Sequence, residues 1–156
     1  MKTLKIKALL ITIIMVTISF AACKKSNNGP DGGSASGSYK FNGTDYSISA
    51  AAEKHIAGDI FLEFTSGNAG DYLQINLPNT ASLPLGVLTY NANRFQNYDP
   101  LKNFWSTGVG VGGVNTDATG GTTTIAKTDK GYKIVFNIAT AKGNITGEYN
   151  GTPAKN

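Results

Sequence analysis

From Tyr39 onward, apolar and polar residues alternate in short runs, broken about every 8–12 residues by Gly, Asn, Asp or Pro. The clearest run is "YKFNGTDYSI", residues 39–48. Asn42-Gly43 between alternating segments predicts a two-residue type I′ hairpin. In that register Phe41 faces Thr44, Lys40 faces Asp45 and Tyr39 faces Tyr46. Tyr39, Phe41, Tyr46 and Ile48 then share one face, and Lys40 pairs with Asp45 on the other.

The same alternation predicts further strands. "DIFLEFT" puts Ile60, Leu62 and Phe64 inward, with Phe61, Glu63 and Thr65 outward. "SGNAGD" reads as a turn, and "YLQINLP" points Leu73, Ile75 and Leu77 inward until Pro78 stops the ladder. Val87 to Tyr90 is a short strand, and another begins near Phe104 and runs into the glycine-rich "STGVGVGGVN". "GGTTTIAKTD" is a strand by β-branching. "KGYKIVFNIATAKG" places Tyr132, Ile134, Phe136 and Ile138 on one face. A turn near Lys142-Gly143 leads into "NITGEYNG", with Ile145 and Tyr149 on one face. Only "SAAAEKHIA", residues 49–57, has helical composition; it is too short to stand alone, and "HIAGDI" pulls its end towards strand. The pattern predicts an all-β domain, an antiparallel β-sandwich of about 8–10 short strands, with a small calycin-like β-barrel as the alternative. One-face alternation fits both.

The first 38 residues follow no such rule. Lys2, Lys5 and Lys7 precede an uncharged run from Ala8 to Ala22, the layout of a secretory signal peptide. The run is shorter than the roughly 20 residues a spanning helix needs. Residues 24–38, "KKSNNGPDGGSASGS", hold no large apolar side chain and read as a flexible tether. The chain thus divides into a signal (1–22), Cys23 with its tether (23–38), a β domain (39–152) and a polar tail (153–156).

This division changes the charge. The formal +4 includes three lysines of the signal, which has no acids, so the remainder carries +1. No basic stripe is left, and nucleic acid is excluded as an expected partner. Cys23 is the single cysteine of the chain, so the domain holds together by burial rather than by disulfides.

Phe20-Ala21-Ala22-Cys23 resembles the lipobox of bacterial lipoproteins, with Phe20 where Leu is usual. The resemblance implies that Cys23 becomes the acylated, palmitate-bearing N-terminus and holds the protein on a membrane, since more than one chain is needed for firm binding. "CKK" followed by a Ser/Asn/Gly tether is similar to small lipoproteins of Bacteroidota-type bacteria. That similarity implies a cell-envelope address, lipid-anchored on the outer membrane. Surface-exported members often carry an acidic run after the cysteine, and here only Asp31 is acidic, which points to the periplasmic face.

Catalytic chemistry finds no footing. His55 is the single histidine, no Gly-x-Ser-x-Gly elbow surrounds a serine, and one histidine without a domain cysteine builds no zinc site. The carboxylates Asp45, Glu53, Asp59, Glu63, Asp71, Asp99, Asp117, Asp129 and Glu148 are scattered, and no pair is singled out for glycoside chemistry. "GVGVGG" lacks the helix and Lys-Ser/Thr of a phosphate loop. Asn97, Asp99 and Asn103, or Asn115 and Asp117, offer hard oxygens but match no calcium-loop spacing. No catalytic residue, metal or cofactor is expected.

The segment "TYNANRFQNYDPLKNFW" stands apart. Five of the 15 aromatic residues lie between Tyr90 and Trp105, off any strand period. Aromatic faces interleaved with Arg and amides are favoured in binding surfaces. Tyr90, Arg94, Phe95, Tyr98 and Trp105 are the expected ligand-binding residues, the competing explanation being that the rings plug one end of the core. The expected function is a non-catalytic envelope module that binds a glycan or another envelope ligand. The alternatives are an accessory subunit docking on an envelope protein, or a calycin-like carrier of an apolar ligand.

Overall fold

The computed structural model describes residues 36–156, apart from the side chains of Ser106 and Thr107. The signal, Cys23 and nearly all of the tether lie outside the described residues. Eleven strands follow in order: β1 (Ser36–Phe41), β2 (Thr44–Ile56), β3 (Asp59–Ser66), β4 (Tyr72–Leu77), β5 (Gly86–Tyr90), β6 (Asn103–Val111), β7 (Val114–Thr116), β8 (Ala118–Thr128), β9 (Gly131–Thr140), β10 (Gly143–Gly151) and β11 (Ala154–Lys155).

The first hairpin forms as its sequence requires. Asn42 and Gly43 take φ of 49° and 82°, the two positive values of a type I′ turn. Phe41 pairs with Thr44, Lys40 with Asp45 and Tyr39 with Tyr46. The Tyr39 and Tyr46 rings stack at 5.2 Å, and Lys40 Nζ lies 3.4 Å from Asp45 Oδ1 on the outer face. The inward sets of β3, β4 and β9 are likewise those of the alternation: Ile60, Leu62 and Phe64; Leu73, Ile75 and Leu77; Ile134, Phe136 and Ile138 are all buried.

The strands close into a barrel rather than the expected sandwich. The hydrogen-bonded order is β1-β10-β9-β8-β5-β6-β4-β3-β2, and β1 pairs back onto β2 to complete a nine-stranded ring. β7 pairs with β6 outside this ring, and β11 runs parallel beside β2. A sandwich would leave edges on both sheets, and closure removes them. Closure is made by β1 with β10 and by the parallel pair β5–β6, where Thr89 faces Asn103 and Tyr90 faces Phe104. Neither pairing is local, so neither leaves a sequence signal.

Residues 49–56, helical in composition but pulled towards strand by "HIAGDI", are extended: β2 continues to Ile56, with a register shift between Ile48 and Ala50, because β3 offers a ladder from Ala50 to Ile56. The residues expected as a polar tail, 153–156, are tied in. Ala154 and Lys155 pair with Ala52 and Glu53, and Asn156 N–H donates to Glu53 O at 3.1 Å.

A barrel of about eight strands is just wide enough to be filled by its own side chains. Phe64 on β3 reaches across the lumen to Phe136 on β9 (ring centroids 5.6 Å apart) and to Tyr149 on β10 (5.4 Å). All three rings are fully buried within one continuous core. Tyr39 reaches this core by lying over Gly147, where a Cβ would meet Tyr39 Cα and Ser38 O.

The strand directions define two ends. The chain enters at Ser36 on a proximal end, which also carries the Ala57-Gly58 turn, residues 78–85, the 129–130 turn and residues 152–153. The distal end carries Asn42-Gly43, residues 67–70, Gly112-Gly113 and residues 141–142.

At the distal end buried Asp71 joins two hairpins. Its Oδ2 accepts from Ser66 Oγ (3.2 Å) and Asn68 Nδ2 (3.1 Å), and its Oδ1 accepts the Gly112 N–H (2.7 Å). Burial pushes the carboxyl up, but these donors, Asn68 foremost, outweigh it and hold it below the usual carboxylate range. A depressed folded-state value gives stability that is present above the unfolded value of about 3.9 and lost as pH falls through the lower folded one. Asp71→Asn should therefore cost about 2 kcal/mol at neutral pH, through donors left facing an amide. Urea unfolding of the two proteins should converge as the pH drops below about 4; a gap that stays constant into acid would show that charge plays no part.

Candidate functional site

The aromatic segment is the crossover that the parallel β5–β6 pair demands, because parallel neighbours cannot be joined by a tight turn. Residues 91–102 make it. Short polar side chains hold its shape. Asn91 Oδ1 accepts the Asn93 N–H (2.9 Å), and Asn93 Oδ1 accepts the Phe95 N–H (3.0 Å), giving two successive Asx turns. Asn91 Nδ2 donates to Asn97 O (2.9 Å), and Asn97 itself adopts φ of 54°. Further on, Asp99 Oδ1 accepts the Leu101 N–H and Asn103 Oδ1 accepts the Asp99 N–H, both at 2.9 Å. The oxygens of Asp99 and Asn103 thus serve the backbone of the crossover. Among the described residues, no group of three or more His, Cys, Asp or Glu side chains converges to hold a metal ion.

Arg94 locks the crossover to the proximal end. Its Nη1 donates to Asp59 Oδ2 at 2.8 Å and its Nη2 to Asp59 Oδ1 at 3.3 Å, a bidentate pair with the first residue of β3. Asp59 Oδ1 also accepts the Asn79 N–H at 3.1 Å. One buried carboxylate therefore gathers β3, the 78–85 connection and the crossover. The guanidinium carbon lies 5.5 Å from the Phe95 ring centroid and 5.3 Å from that of Trp105, a cation held between two rings. Phe95 is nonetheless 88% exposed, while Trp105 is half-buried.

The five residues expected to bind ligand divide three ways. Arg94, Phe95 and Trp105 come together. Tyr98 braces them, its hydroxyl donating to Asn103 O at 2.9 Å, and its phenol is raised by burial and then by the Asp59 charge. Tyr90 sits apart, edge-on to fully buried Phe104 at 5.7 Å, its phenol raised by burial and by Asp117. The core-plugging explanation holds for Phe104 and in part for Tyr90. Asp59 was not among the expected residues; nothing at its position in the sequence announces an arginine 35 residues away.

A second polar group sits where the inner wall of β2 meets the proximal end. Ala51, Glu53 and His55 follow the inward alternation of β2. Glu53 is buried, and its Oε1 lies 2.7 Å from His55 Nε2 and 3.9 Å from Lys155 Nζ. The His55 side chain is 43% exposed.

Fold and site together define a small, filled, closed β-barrel that presents an arginine-locked aromatic crossover at one end. Neither a protein-family model, nor a curated protein, nor a solved structure matches this chain.

Proposed function

We propose that the protein is a lipid-anchored, non-catalytic binding module of a bacterial cell envelope, attached through Cys23 and taking a glycan or other envelope ligand on the Arg94–Phe95–Trp105 crossover. The observation that carries this reading is the exposed Phe95 ring, held on a loop that turns, ion pair and cation–π contacts have already ordered. A pre-ordered aromatic binds without a further ordering penalty, which is how such anchors gain affinity. The carboxylates Glu53, Asp59 and Asp71 are each engaged by structural donors, which supports a binding rather than a catalytic role. The rings of Phe64, Phe136 and Tyr149 across the lumen support a surface site over an apolar carrier.

Trp105 is the only tryptophan, so its fluorescence reports directly on the site. Titration with purified envelope glycans should shift Trp105 emission, and Phe95→Ala should weaken binding at least about tenfold with thermal stability unchanged. Equal binding by Phe95→Ala, or no response of the native protein to any envelope glycan, would remove the glycan reading.

A further inference from the structure

We infer that the proximal end of the barrel is a membrane-contact surface, and that the envelope ligand of the crossover is an anionic lipid bilayer. The inference rests on the envelope reading above. It starts from an asymmetry. Six large apolar side chains are exposed among the described residues: Ile56, Leu85, Val87, Phe95, Leu101 and Val135. Five of them lie on or beside the proximal end: Ile56 at the β2–β3 turn, Leu85 and Val87 where β5 begins, Phe95 and Leu101 on the crossover. These five are each more than half exposed, whereas Val135, on the side wall, is 39% exposed. The distal turns, built from Asn42-Gly43, residues 67–70, Gly112-Gly113 and residues 141–142, carry none.

Basic side chains accompany these apolar ones. Lys127, just before the 129–130 turn, and Lys130 within it have no ion-pair partner among the described residues, while Lys102 and Lys155 stand at the same end beside Asp99 and Glu53. Asp129, in the same turn, is exposed. Apolar tips with lysines around them are the composition of surfaces that settle at the headgroup level, the apolar groups entering the interface and the ammonium groups staying among anionic headgroups.

The chain's attachment point selects the lipid surface as occupant. β1 begins at Ser36, paired with Asn150, so the segment from Cys23 joins the barrel at this same end. Even fully extended, a segment of that length spans only about 45 Å. An acylated Cys23 would hold the apolar end near the bilayer and leave the polar distal end furthest from it.

The test uses the chain from residue 23 onward with Cys23→Ser, so that no acyl chain contributes, and sedimentation with vesicles of mixed phosphatidylglycerol and phosphatidylethanolamine. The protein should sediment with these vesicles and not with pure phosphatidylcholine. Phe95→Ser with Leu101→Ser should lower partitioning at least about tenfold, while Val135→Ser leaves it unchanged, all with native thermal unfolding. Absence of partitioning, or equal partitioning of the double variant, overturns the inference. So does a vesicle-independent dimer that the double variant dissolves, which would assign the surface to a second copy. No vesicle binding by the protein with its crossover intact, while that same protein binds glycan, would overturn this inference alone. An unacylated Cys23 in the mass spectrum of membrane-extracted protein would remove the anchor beneath both.

Discussion

Phe64→Ala should lower the unfolding free energy by about 4 kcal/mol, the middle of the range for removing a buried phenyl ring. Phe64 is fully buried, and it is the ring that touches both Phe136 and Tyr149 across the lumen. In a sandwich, two flexible sheets could draw together over such a loss. A closed ring has its circumference set by nine hydrogen-bonded strands, so the wall cannot collapse and the cavity remains. The aromatic contacts themselves add about 1 kcal/mol beyond the buried area. Urea unfolding should show a lower midpoint with an unchanged slope. A loss below about 1.5 kcal/mol would mean that the wall adjusts and that the lumen is not held by this ring. Phe64→Leu, which keeps most of the volume, should recover the larger part of the loss.

Asp59→Ala should cost about 3 kcal/mol, the lower part of the range for breaking a buried ion pair. The carboxylate side chain is 8% exposed and its arginine 24%, so solvent screens the pair only in part. Removing Asp59 leaves the guanidinium unpaired beside a buried Nε–H that has no hydrogen-bond partner among the described residues. It also frees the Asn79 N–H. Replacing both partners together, Asp59→Leu with Arg94→Met, should be less damaging than Asp59→Ala alone, because no uncompensated charge remains. Thermal unfolding measures the loss, and the single tryptophan, Trp105, reads the release of Arg94 from its ring as a change in emission. If Asp59→Ala and the double variant unfold alike, the carboxylate acts through packing and not through Arg94.

These two variants probe the parts of the molecule that were least and most legible beforehand. The inward position of Phe64 follows from the alternation of "DIFLEFT", but its partners Phe136 and Tyr149 lie 72 and 85 residues away and are set by which strands meet. The crossover shows the converse. Its aromatic density marked Arg94, Phe95 and Trp105, which the fold does assemble, yet the same density included Phe104, which belongs to the core, and Tyr90, which packs against it. Aromatic residues near one another in sequence take different roles according to which face of β6 or which side of the loop they occupy. Asp59 was invisible because an ion pair between distant segments has no sequence spacing. Glu53 is one of nine scattered carboxylates in the sequence, and only the ladder of β2 on β3 turns it inward to meet His55 and Lys155.

By itself the sequence determined the strand-rich character, the Asn42-Gly43 hairpin with its register, and the inward faces of β3, β4 and β9. Each depends on interactions within about ten residues, where turn chemistry and period-two patterning act directly on the backbone. The tertiary structure alone decided that the strands form a barrel, that β2 runs on to Ile56, and that Phe64, Phe136 and Tyr149 fill the lumen. It also decided that Asp59 fastens Arg94 and that the exposed apolar side chains gather at the end where the chain enters. Each of these depends on pairing between segments far apart in the chain, selected by ring closure and the burial it permits, and a one-dimensional pattern carries no record of that choice.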